Sequence, residues 1–406
     1  MTRMISIDEA ATTVLSEAHP LSEIAVALEE AEGYVLAKPV HADLDVPAFD
    51  RSMMDGYALA ARESGKGKVI EIVATIAAGD FHSDPIPNGK AARIMTGAPL
   101  PAGCDAVIPL ELTTDLGGNR VRLDAAVKPG ENIAFQGEEI RKGQENLSQG
   151  TLIDAPVAAV LAQVGRPDVE VHRRPRVGIL VTGAELADPG EAPAGSKVRE
   201  SNSYGLVAQC RLWGAVPMRL GQAADDPTQL RAAIEGGLGH DILTITGGVS
   251  AGDYDLVPDS LRELGVEVLF HKVAQKPGMP LLFGKRGSTL VFGLPGNPVA
   301  CFLCFELYVG PAVRRLAGEW DFETKWLDGV AGADSHVKSD RTHFKAAKVR
   351  FEGSRWRVHP MPSHGSADIF SVVGTNAFAR FEKGKYTVSV GEQVRFFFYR
   401  AKQPLV

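Results

Sequence analysis

Three short stretches of this 406-residue chain carry residue types that can hold an anion. They are Val181-Thr182-Gly183-Ala184-Glu185, Thr246-Gly247-Gly248-Val249-Ser250 and Gly293-Leu294-Pro295-Gly296-Asn297-Pro298. Each follows an apolar run that reads as a buried strand. Glycine lets backbone N–H groups approach an oxyanion closely, and a helix N-terminus behind the turn adds a positive dipole end. In the third stretch Asn297 suits an N-cap and Pro298 the first helical position. One such turn only reverses the chain. Three at the carboxyl ends of strands point to a nucleotide-like or phosphate-bearing ligand in the crevice above them. None fits G-x-G-x-x-G after a first strand or G-x-x-x-x-G-K-[ST], so an ordinary dinucleotide site or P-loop is disfavoured.

Charged residues flank the same turns. Asp225 and Asp226 follow a strand; Asp226 reads as the cap of the next helix, and one cap needs only one carboxylate. Asp253 and Asp255 lie just past Gly247-Gly248. A carboxylate beside bound phosphate is costly unless a metal or a lysine lies between them. Asp225 and Asp253 therefore read either as ligands of a divalent metal or as solvated loop acids. Lys272 and Lys276 follow the next strand and could balance such a site. In the first half, Ser52-Met53-Met54-Asp55-Gly56-Tyr57 mixes bulky apolar residues with one acid, as a buried connector or a site loop would. Met95-Thr96-Gly97-Ala98-Pro99 is a strand-end turn, and Gly137-Glu138-Glu139-Ile140 sets two acids side by side. Cys301-x-x-Cys304 falls among apolar residues inside a predicted helix, which favours core packing over redox or metal chemistry. His271, His343 and His364 are scattered without zinc-ligand spacing, and no G-x-S-x-G elbow occurs.

The elements that must carry these residues alternate in type. From residue 175 onward RVGILVTG, VPMRLG, DILTITGG, VEVLF and TLVFGL read as strands. Between them NSYGLVAQCRLWG, DPTQLRAAIEGGLG and VPDSLRELG read as helices, and another follows Pro298. That is the spacing of a doubly wound parallel sheet. Upstream, Ile5–Val14 and Leu21–Glu30 suit two short helices, the second because Leu21, Ile24, Ala25 and Leu28 keep 3-4 spacing. Residues 67–133 look all-β, and Ala155–Gly165 looks helical. Beyond Trp320 strands dominate, as in a small barrel or sandwich. The expected layout is an N-terminal helical and extended domain (1–50 and 141–174), an inserted β-domain (51–140), an α/β domain (175–319) and a C-terminal β-domain (320–406).

An apolar share of 45% and a charged share of 23% are ordinary for a soluble protein. A formal net charge of −7 argues against nucleic acid as a partner, although a local basic pocket is compatible with it. No apolar stretch has the length of a membrane span, the N-terminus has no secretory pattern, and four cysteines make no disulfide framework. The chain is expected in the cytoplasm.

Taken in order, these fragments resemble the molybdopterin molybdenumtransferase family, whose relatives include the C-terminal domain of gephyrin. The resemblance is carried by MDGYA (54–58), IMTGAPLP (94–101), GENI and GEEI (130–140), VTGAEL (181–186) and RESNSY (199–204). DDP (225–227), TGGVSAGDYD (246–255), KPG (276–278) and GLPGNP (293–298) complete it. It implies a C-terminal β-barrel and an elongated homodimer in which the first half of one subunit meets the α/β domain of the other. It implies insertion of molybdenum from molybdate into adenylylated molybdopterin, with AMP released and Mg²⁺ assisting. The catalytic residues so implied are Asp55, Thr96, Glu139, Glu185, Asp225 and Asp253, with Asp225 and Asp253 on the metal. Gly247, Gly248, Ser250, Lys272, Lys276, Pro295, Gly296, Asn297 and Pro298 would surround the substrate. Molybdopterin adenylyltransferase and molybdoenzyme apoproteins are the expected partners. Glu139 stands where many relatives carry Asp, Met279 where many carry Lys, and His364–Asp368 follows the family pattern loosely. An adenylyltransferase would share the α/β domain without needing the DGYA and MTGAP segments. A non-catalytic pterin-binding scaffold would bind without turnover.

Overall fold

The strand–helix alternation expected beyond residue 175 is realised in a six-stranded sheet. Its order is Val216–Ala223, Arg176–Thr182, Ile242–Thr246, Thr289–Leu294, Leu282–Arg286, Glu267–His271. The structure is a computed structural model and describes residues 4–223, 226–249 and 256–399. The chain divides into two units, one of Met1–Ala37, Gly150–Asp154 and Val169–Val406, the other of Lys38–Gln149 and Ala155–Asp168.

In the first unit the sheet is buried on both faces, which explains its near-continuous apolar strands. Ile179, Ile242, Leu290 and Phe292 join one core with Leu206, Cys210 and the helices beyond Pro298. Leu180, Leu243, Ile245 and Val291 face the other way, onto Leu230, Ile234, Val257 and Leu261. Cys301 and Cys304 lie in the first of these cores, their thiols pushed up by burial. The Arg173-Arg174-Pro175 junction is fastened to the sheet, because Arg173 reaches both carboxylate oxygens of Asp241 at 2.6 and 2.7 Å.

The sheet departs from the all-parallel expectation in one strand. Leu282–Arg286 runs antiparallel to both its neighbours and forms a hairpin with Thr289–Leu294. The helix after Pro298 also departs from a single regular rod: Pro298–Cys304 passes through a π turn, Phe305–Val309, into Gly310–Leu316.

At the N-terminus, Ser6 and Glu9 form a reciprocal capping box on the helix Ile7–Glu17. The second expected helix is not formed. Glu23–Ala27 is a strand and only Leu28–Glu30 makes a helical turn. Pairing with Asp168–His172 in a three-stranded sheet overrides the helical spacing.

The C-terminal strands close into a barrel. Leu327–Ala331, Thr342–Glu352, Arg355–Pro360, Ala377–Phe381 and Gln393–Phe398 pair in a ring, closed where Thr342–Glu352 pairs with both Arg355–Pro360 and Ala377–Phe381. A two-residue parallel ladder, Gln275 opposite Thr342 and Lys276 opposite His343, joins the barrel to the α/β layer.

The second unit holds a six-stranded sheet in the order Ala106–Pro109, Gly56–Leu59, Lys90–Ile94, Val69–Ile76, Arg120–Leu123, Thr113–Gly117. Alternate residues serve opposite cores: Tyr57, Leu59 and Ile108 in one, Ala58, Ile94 and Val107 in the other. The helix Ala155–Gln163 belongs to this unit.

Candidate active site

The three glycine turns of the first unit converge on one cleft of about 1460 Å³. Thr182-Gly183, Gly247-Gly248 and Pro295–Pro298 form its floor at the carboxyl ends of adjacent strands. At Gly247 the backbone has φ +94, and a Cβ there would run into the Thr182 carbonyl, so only glycine fits. Asn202 ties two of the turns together, its side-chain amide donating at 2.8 Å to Thr246 Oγ1 and at 2.8 Å to the Gly296 carbonyl.

The opposite wall comes from the barrel and its loops. Arg341, His343 and Lys345 lie on or just before one strand, and Ser363, His364 and Ser366 follow the next. Among the described lining residues, Arg199, Lys276, Arg341 and Lys345 face a single carboxylate, that of Glu185. A chain of net charge −7 thus keeps a locally cationic pocket. Two enclosed polar atoms at this cleft, Thr182 Oγ1 and His343 Nδ1, have no hydrogen-bond partner among the described residues. Enclosed polar groups left unpaired are costly unless a ligand or water completes them.

Of the residues expected around the substrate, Gly247, Gly248, Lys276, Pro295, Gly296, Asn297 and Pro298 line the cleft, as does Glu185. Lys272 does not line it; its backbone has φ +84, and its carbonyl accepts the Ile5 N–H at 3.2 Å. Asp225, Ser250 and Asp253 lie outside the described residues. Asp226 caps its helix as expected, accepting the Gln229 N–H at 2.8 Å. The Asn297 side chain does not cap. It donates to Ser366 Oγ at 2.9 Å, and the Val299 N–H at the start of the helix donates to the Ser366 carbonyl at 3.0 Å. The cationic character of the cleft therefore rests on side chains from the barrel more than on the helix end.

The second unit gathers the remaining acids. Asp55 Oδ1 accepts the Thr96 N–H at 2.7 Å and the Thr96 hydroxyl at 3.0 Å. Those two bonds hold the Asp55 carboxyl below its ordinary range, the backbone donor contributing most. Gly56 begins the strand behind it, where a side chain would strike the Ile108 carbonyl. Glu139 pairs with Arg51 at 3.1 Å.

Sequence reasoning missed Asn202, Gln275, Arg341, His343, Lys345, Ser363 and Ser366. A signal existed for three of them, since Arg341, His343 and Lys345 repeat at intervals of two, the period of one strand face.

Comparison with known proteins bears on the whole chain. Residues 5–165 match the description "MoeA N-terminal region (domain I and II)" and residues 178–315 "Probable molybdopterin binding domain". Residues 328–398 match "MoeA C-terminal region (domain IV)". The chain is 34% identical to a molybdopterin molybdenumtransferase of Bacillus subtilis over 92% of its own length and 89% of that protein's. It is 32% identical to one of Staphylococcus epidermidis, covering 96% and 94%. A crystal structure of a molybdopterin biosynthesis MoeA protein from Pyrococcus horikoshii is similar at TM-score 0.83 and 28% identity, covering 98% of this chain and 100% of that one.

Proposed function

The chain belongs to the molybdopterin molybdenumtransferase family, and on that premise we propose that it inserts molybdenum from molybdate into adenylylated molybdopterin, releasing AMP. The observation that carries this reading is the cationic cleft over three strand-end turns. Molybdate and a phosphoanhydride are both anions, and Lys276, Arg341 and Lys345 lower the cost of holding them together in one crevice. The glycine turns at 247–248 and 295–298 leave room for the phosphate and pterin groups, and Asn202 fixes the spacing between those turns.

Mg²⁺ is held by one or two carboxylates together with substrate phosphates, and the cleft supplies one such carboxylate in Glu185. Asp225 and Asp253, which follow the strands Val216–Ala223 and Ile242–Thr246 in sequence, are the proposed companions. When bound, the ion offsets negative charge on the phosphoanhydride. Gly248 continues the floor beside Gly247, and Ser250 is a proposed substrate contact, whereas Lys272, which does not line the cleft, is left out of that set. Asp55, Thr96 and Glu139 are proposed to complete the catalytic set from a second copy of the chain.

The homodimer this requires is supported by an apolar surface beside Asp55. Phe49, Met53, Met54, Met95 and Phe135 are exposed on segments joined by backbone bonds from Met53 to Asn132 and from Ser52 to Ala98. Exposed apolar groups clustered around a polar site mark an interface. We assign the four segments 1–50 with 141–174, 51–140, 175–319 and 320–406 as its domains. No helix among the described residues is long and apolar enough to cross a membrane. The reaction is proposed to run in the cytoplasm, between molybdopterin adenylyltransferase and the molybdoenzyme apoproteins. The adenylyltransferase alternative is not favoured, because it leaves the matches at 5–165 and 328–398 without a use.

Reconstitution tests the reading. The purified chain with adenylylated molybdopterin, Mg²⁺ and molybdate should release AMP in a molybdate-dependent manner. Adenylyl transfer from ATP without such release would defeat it.

A further inference from the structure

Lys276 is braced from below by a buried hydrogen-bonded pair. Gln275, the residue before it, has 0% exposure, yet it borders the cleft. Tyr308, in the π turn, is 1% exposed, and its hydroxyl donates to Gln275 Oε1 at 2.5 Å. Burial above all pushes the Tyr308 phenol well above its usual range, so the hydroxyl keeps its proton. A donor fixed on Oε1 leaves the Gln275 amide one orientation. Its Nε2 accordingly donates to the Pro277 carbonyl at 3.2 Å and to Cys304 Sγ at 3.4 Å.

Pro277 is the residue after Lys276. The chain of bonds from Tyr308 through Gln275 to Pro277 therefore closes around the Lys276 backbone. On its other side the same segment is registered against the barrel, Lys276 opposite His343. A lysine side chain is long and flexible, so its reach into a pocket depends on how firmly its backbone is held.

We infer that Gln275 and Tyr308 are positioning residues that fix where Lys276 presents its ammonium to an oxyanion in the cleft. The inference rests on the functional reading above, with molybdate as the oxyanion. A pair that merely satisfied its own buried polar atoms would affect stability alone. A positioning pair affects anion affinity, and does so only while Lys276 is present.

A double-mutant cycle separates the two. Molybdate binding to the full-length chain is measured by calorimetry for wild type, Tyr308→Phe, Lys276→Ala and the double variant. KM for molybdate, kcat for AMP release and the melting temperature are followed alongside. Tyr308→Phe removes one oxygen and keeps the ring packing. It should weaken molybdate binding about three- to tenfold, the range of one hydrogen bond, and raise KM with kcat within about twofold. In the Lys276→Ala background the same change should alter binding by less than about twofold. Gln275→Met should behave like Tyr308→Phe, and Gln275→Glu should not rescue it, because it lacks the donor to Pro277. An equal loss in both backgrounds, or no loss in either, would overturn the inference. A wild-type chain that binds molybdate without releasing AMP would defeat the functional reading and leave the cycle decisive for this one. A chain that binds no molybdate would overturn both.

Discussion

Three like-charged or chargeable groups, Lys276, His343 and Lys345, share one wall of the cleft. Burial, and then the charges of Lys276 and Lys345, push the His343 imidazole down from 6.5 to about 4. Lys345 is lowered too, by burial and then by Lys276. Asp340, held low by Arg341, is the acid that Lys276 acts on from the neighbouring loop. The sign for stability follows from proton counting. Between about pH 6.5 and 4 the unfolded chain binds a proton at His343 that the folded chain refuses, so stability falls as pH drops through that window. His343→Gln removes this term, and its melting temperature should decline less steeply between those pH values than that of wild type. Molybdate in the cleft should raise the His343 titration midpoint, read by NMR. The alternation with Arg341 and Lys345 was the one mark His343 carried in the sequence, and its burial between two lysines was not legible there. His271, His343 and His364 are far apart along the chain, and only barrel closure brings the last two to one cleft while His271 is bonded at 2.8 Å to the Val249 carbonyl. By contrast Thr96 was legible in a strand-end turn and Asp55, 41 residues away, as the acid of a connector or site loop, and their direct bond is what the sequence could not supply.

At the level of elements, legibility followed how strongly each segment was marked. The strand Thr289–Leu294, its glycine turn and the helix from Pro298 were readable because apolar runs and Gly/Pro breaks coincide there. The strand Leu282–Arg286 was missed, since Lys285 and Arg286 made it look like a loop leading into the next strand. In the structure those two are the hairpin end, where Gly287 turns at φ +58 and Arg286 pairs with Glu235 at 2.7 Å. Glu23–Ala27 was misread because a partner strand over 140 residues away decides its state, and local spacing carries no trace of that partner. The strand-end turns make a sharp prediction. Gly247→Ala should cost at least ~1–2 kcal/mol for the left-handed backbone, before the clash with the Thr182 carbonyl is counted. Chemical denaturation measures the loss, and AMP release should fall further than stability does, because the cleft floor itself is displaced.

For the whole molecule, the decisive question is whether one chain suffices. Met53 is 56% exposed and Phe135 47%, both in the unit that holds Asp55. Met53→Glu sets a charge into the proposed subunit contact. Sedimentation should then report monomer where wild type gives dimer, and AMP release should fall with the dimer fraction while the melting profile of each unit is retained. A monomeric wild type with full activity would overturn the shared-site arrangement.

The barrel strand Thr342–Glu352 divides its residues by parity. His343 and Lys345 share a face that continues into Ala347 and Val349 of the barrel core, whereas Phe344 and Ala346 pack into the core shared with the α/β helices. Because that division repeats every second residue, an insertion or deletion of a single codon between Ser339 and Thr342 would exchange the two faces, turning Phe344 toward the anion and burying a lysine in a greasy layer. The Gly353-Ser354 hairpin tip, where both residues already have positive φ, is the place on this strand pair where an added residue should be tolerated best.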